Sequence, residues 1–144
     1  GAHFIYAWMQ GSFKQINLMG LGVQIDIYHE RMTESQLEIF CLIGAVATLI
    51  IGYVFILLAD KIGTISSKVF KAAMYYITIG LLFIDPLYLS VLCQFFGGGD
   101  MNGIALLIPE IIVRIVFGVI FIINLVIFIK VVLPKYKTFF ENKE

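Results

Sequence analysis

A chain of 144 residues is one domain's worth of sequence, and 60% hydrophobic residues, 14% charged residues and a mean hydropathy of +0.97 lie far outside soluble composition. This composition predicts a membrane protein, mainly α. Ten Lys and Arg balance ten Asp and Glu, so no charge excess draws the chain to a polyanion, and nucleic acid is excluded as a default partner.

Residues 1–13 read as the tail of a helix, since Gly1 to Met9 is apolar but Gly11, Ser12 and Lys14 stop the run too early for a span. No basic flank or cleavage site marks a secretory signal, and the chain opens as if in mid-element. Over 14–30 apolar residues tend to alternate with polar ones, most cleanly in Val23-Gln24-Ile25-Asp26-Ile27, which predicts strands in a short hairpin or small sheet. Gly20 and Gly22 are expected to form its turn or bulge. With no third glycine and no helix after them, they do not make a dinucleotide fingerprint. His29, in a charged Tyr-His-Glu-Arg stretch, reads as solvated loop.

Thr33 and Ser35 are both placed to cap the helix that follows, with Glu38 three residues after Ser35. A bilayer core about 30 Å thick needs roughly 20 apolar residues per helix. Three runs qualify: 37–59, closed by Asp60 and Lys61; 72–96, interrupted by Asp85 and Pro86; and 111–133, ended by Pro134. Cys41 and Cys93 lie inside these runs as small hydrophobes, without a disulfide framework. The sequence therefore predicts a single domain with about three transmembrane helices.

Lys61, Lys68, Lys71, Lys130, Lys135, Lys137 and Lys143 fall on one side of that arrangement, and Lys14 and Arg31 on the other. An excess of this kind marks the cytoplasmic face, so the C-terminus is expected there. Gly44, Ala45 and Ala47 would let a neighbouring helix approach closely, within the chain or in a homo-oligomer.

Ionisable groups at membrane depth are costly and become candidates for function. Glu110 and Arg114, four apart, form an ion pair on one helix face. Asp85-Pro86 marks a kink whose carboxylate is free to cap the following half-helix. Asp100 sits in Gly97-Gly98-Gly99-Asp100-Met101-Asn102-Gly103, where consecutive glycines lower the cost of unusual dihedrals and allow a re-entrant turn. His3 and Asp100 share a predicted face, and His plus carboxylate is the ligand chemistry a catalytic zinc requires.

In this order of features the chain resembles the site-2 protease family of intramembrane zinc metalloproteases. The segment from His3 through Gly11 to Ile16 looks like the region after that family's H-E-x-x-H, with His3 at the second His and Gly1 and Ala2 as the variable pair. The strands at 14–30, the small-residue patch Gly44-Ala45-Val46-Ala47 and Gly99-Asp100 with Gly103 follow in the family's order. The family's Asn-x-x-Pro is absent in that form, and family sites commonly lie toward the cytoplasm, opposite to the side the lysine distribution assigns here. The resemblance implies zinc held by His3, Asp100 and a His upstream of Gly1, with a general-base Glu also upstream. It further implies that a membrane-spanning protein substrate adds as a strand beside Val23, Ile25 and Ile27. Two other readings stand beside it: a non-enzymatic small membrane protein, such as an accessory subunit of a transporter or an immunity or scaffold protein, and a channel or carrier lined by Asp85, Asp100, Glu110 and Arg114.

Overall fold

A computed structural model describes residues 1–19, 22–96 and 98–141. Gly20, Gly97 and Lys143, which entered the expectations above, lie outside the described residues. The chain is 76% helical, with one small antiparallel sheet. Helix α1 (Ala2–Met9) leads into strands β1 (Phe13–Met19) and β2 (Gly22–Ile27), and a 3-10 turn (His29–Arg31) precedes the long helix α2 (Glu34–Leu57). After the short α3 (Ala59–Gly63), α4 (Lys68–Ser90) returns across the bundle, and α5 (Asp100–Ile104) precedes α6 (Glu110–Ile127). A π-helical segment (Phe128–Val132) joins α6 to α7 (Leu133–Glu141). The stretches 34–57, 68–90 and 110–141 are long and apolar enough to cross a membrane.

Helix boundaries follow the capping chemistry. The first long helix begins at 34, because the Thr33 side chain accepts from Gln36 N while the Gln36 side chain accepts from Thr33 N at 2.9 Å. The box is thus Thr33 with Gln36, and Ser35 and Glu38 lie inside the helix. Ser67 caps α4 through Phe70 N. This helix stops at Ser90, so residues 91–96 of the apolar run are a 3-10 turn and loop.

Both prolines inside apolar runs are absorbed without ending a helix. Pro134 has no N–H and its ring crowds the carbonyl of Lys130, four residues back. One π turn accommodates it and the helix continues to Glu141. Pro86 leaves the carbonyl of Leu82 without its helical donor. Asn124 Nδ2, from α6, donates to that oxygen at 2.6 Å, and Tyr53 of α2 donates its hydroxyl to Asn124 Oδ1 at 2.6 Å. Three long helices are thereby tied at one fully buried amide. Asp85 does not cap a half-helix, since α4 is continuous; its carboxylate meets the Thr48 hydroxyl on α2.

The hairpin is too small to be stable alone and is anchored at its base. Ser12 is completely buried, and both its N–H and its hydroxyl bond to the Ala7 carbonyl, at 3.0 and 3.2 Å. Tyr28 N donates to Ser12 O at 2.8 Å, and Ile27 is in the core beside Phe40, Cys41 and Met101. Ile16 pairs with Ile25 and Leu18 with Val23, which sets the strand register. The Glu110–Arg114 pair forms at 3.8 Å, and Arg114 Nε also donates to Ser90 O at 3.0 Å, closing the end of α4.

Candidate functional site

The anchored hairpin, the first half of α2, the end of α4 and the start of α5 enclose a cavity of about 540 Å³. His3, Asp85, Tyr88 and Asp100 line it, together with residues 23–27 of β2. Two residues 97 positions apart in the sequence meet there: His3 Nε2 stands 3.9 Å from Asp100 Oδ2. That Nε2 is buried and has no hydrogen-bond partner among the described residues.

Each side chain is held by its neighbours. The His3 ring packs on Phe40 with centroids 4.9 Å apart, and its Cε1 side lies against Gly44, where an added β-carbon would overlap the imidazole. The small-residue patch on α2 therefore makes room for a histidine from α1. Asp100 opens α5 directly after two left-handed residues, Gly98 at φ +85° and Gly99 at φ +45°, a backbone that a side chain would strain. Across α5, Gly103 sits on the Cys41 sulfur, which lets this short helix lie close on α2. Burial pushes the Asp100 carboxyl above the usual carboxylate range; nearby His3 pulls it back and Asp85 adds to the rise.

The residues fit part of a zinc site. Two ligands of one tetrahedral zinc stand roughly 3.3–3.5 Å apart, so the 3.9 Å between an imidazole nitrogen without a protein partner and a carboxylate oxygen is close to that span. Among the described residues no three His, Cys, Asp or Glu side chains gather closely enough to hold a metal. His3 and Asp100 are thus two side chains of the kind zinc takes, with no third beside them among the described residues.

Val23, Ile25 and Ile27 all line the cavity but differ in burial. Val23 is exposed, Ile25 is half-buried, and Ile27 is packed into the core, where it anchors the strand. The edge of β2 away from β1 pairs with no other strand among the described residues. His29 is exposed, as a solvated residue should be, yet it reaches the cavity rim.

Of the lining residues, Asp85 stands among the sequence's candidates, whereas Tyr88 does not. Asp85 reads there mainly as part of a kink, although an acid inside an apolar run was a signal in itself. Tyr88 carried none: its hydroxyl touches Gly99, where a β-carbon would overlap it, and it makes no hydrogen bond among the described residues. No known protein family, curated protein or solved structure matches this chain.

Proposed function

We propose that this chain is an integral, multi-pass membrane protein carrying part of the site of a zinc metalloprotease of the site-2 protease kind, which hydrolyses peptide bonds of membrane-spanning substrates. The observation that carries this reading is the meeting of His3 Nε2, buried and without a partner, with Asp100 across a cavity cut into the bundle. In this reading the first His and the general-base Glu of H-E-x-x-H are supplied by residues preceding Gly1. The lysine distribution supports a cytoplasmic C-terminus.

Zinc bound there would polarise the scissile carbonyl and lower the pKa of its water to about 7. The chain's own residues do the positioning. Gly44 leaves room for the ring of His3, which packs on Phe40, while the Gly98-Gly99 turn precedes the Asp100 carboxylate that stands 3.9 Å from Nε2. The free edge of β2 offers main-chain hydrogen bonds to an unwound substrate, with Val23 and Ile25 contacting alternate side chains and Ile27 holding the strand to the core.

The decisive experiment reads the residues encoded before Gly1 and measures zinc in the natural protein. His-Glu at the two positions before Gly1, with one zinc per chain that is lost in His3→Ala and Asp100→Ala without loss of helical content, supports the proposal. A metal-free wild type, or zinc unaffected by both substitutions, overturns it. A second reading, a non-enzymatic accessory, immunity or transporter subunit, is favoured by the absence of a third metal-ligating side chain among the described residues. It requires that neither substitution alter metal content.

A further inference from the structure

Charge is divided sharply between the two ends of the bundle. The segments 41–57, 72–84 and 115–127 contain no charged residue. At the cavity end, residues 1–40 and 85–114 carry seven carboxylates against Lys14, Arg31 and Arg114; at the other, residues 58–71 and 128–141 carry six lysines against Asp60 and Glu141. Both of those carboxylates are already engaged, Asp60 by Lys135 at 2.7 Å and Glu141 by Lys137 at 3.7 Å.

Lys61, Lys68 and Lys130 remain, all exposed and with no carboxylate within 4 Å among the described residues. They come from three elements of this end, α3, the first turn of α4 and the π segment, of which α3 and α4 pack on α7 and the π segment leads into it. Beside them Lys71 is nine-tenths buried, its ammonium meeting only the Phe139 carbonyl at 3.4 Å. Lys68 and Lys71 also occupy the first turn of a 23-residue helix that has no acidic residue there. Cations are disfavoured at the positive end of a helix dipole unless an anion lies nearby. The third long helical stretch, 32 residues or about 48 Å, exceeds a hydrocarbon core of about 30 Å, so one of its ends must stand at headgroup level.

We propose that Lys61, Lys68 and Lys130, with Lys71 beside Lys68, form a basic surface that binds the phosphates of anionic phospholipid headgroups. The proposal rests on the bundle crossing a bilayer and is independent of any zinc chemistry. The lipid supplies the negative charge that this end of the protein lacks, and its acyl chains lie along the apolar helices. Each lysine is expected to contribute about five-fold in affinity at the membrane surface.

The test uses the full chain purified in a zwitterionic detergent, with phosphatidylglycerol or phosphatidylcholine added and binding read by native mass spectrometry and by thermal unfolding. Wild type should retain phosphatidylglycerol at least tenfold over phosphatidylcholine, and a K61Q/K68Q/K130Q variant should lose that preference, whereas K14Q at the cavity end keeps it. Equal retention of the two lipids by wild type, or an unchanged preference in the triple variant, overturns the proposal. Complete competition by millimolar inorganic phosphate overturns the lipid assignment in favour of a free-phosphate site. If the triple variant fails to fold, each lysine is replaced singly, and a preference undiminished in all three is equally fatal.

Discussion

Two of the polar clusters in the apolar interior differ in how completely their groups are used. At Asn124 every capacity that matters is spent: the amide nitrogen serves the carbonyl that Pro86 orphaned, and the amide oxygen receives the hydroxyl of Tyr53. At the cavity, His3 Nε2 has no partner, Asp100 stops at 3.9 Å, and Asp85 is met by a single threonine hydroxyl. A satisfied buried group is explained by the fold it stabilises, whereas convergent unsatisfied groups ask for something else. The first cluster is a knot between helices; the second has the character of a site.

The largest effect that can break this contrast is stabilisation by zinc. In the natural protein, zinc at about a hundred times its dissociation constant should raise unfolding stability by about 2.7 kcal/mol, and His3→Ala should abolish the increment. A thermal melt indifferent to zinc would put the cavity in the same class as the knot.

Next in size is Asn124→Leu, which strands the Leu82 carbonyl and the Tyr53 hydroxyl between helices. A loss of about 2 kcal/mol is expected in a detergent unfolding titration, with zinc content unchanged. Gly44→Ala should behave in the opposite way. Its methyl displaces the imidazole of His3, costing about 1 kcal/mol in stability but at least tenfold in zinc affinity.

The smallest effect concerns pH. Because the Asp100 carboxyl titrates above its unfolded value, its contribution to stability is fully present below about pH 3.9 and is lost as pH rises through the folded value. In the metal-free protein Asp100→Asn should therefore gain on wild type at neutral pH and lose that advantage in acid. With 46% of the side chain exposed, solvent screening holds the gain to about 0.5 kcal/mol. A variant that is less stable than wild type at neutral pH would mean that the carboxylate is structurally engaged after all.

Composition and local chemistry determined a good deal by themselves. Long charge-free runs belong to the long helices, alternation over Val23–Ile27 marked a strand, and four-residue spacing aligned Glu110 with Arg114, because these depend on periodicity along the chain. The pairing of His3 with Asp100 was anticipated from residue types and a shared face, but their approach was not, since it depends on Gly44 lacking a β-carbon opposite a histidine that lies 41 positions away in the sequence. The same holds for Asn124, which finds its acceptor on another helix, for Tyr88 against Gly99, and for the helix that runs on past Pro134. Each was settled by what a neighbouring element placed beside it, and a linear pattern of residues does not encode that contact until the helices have packed.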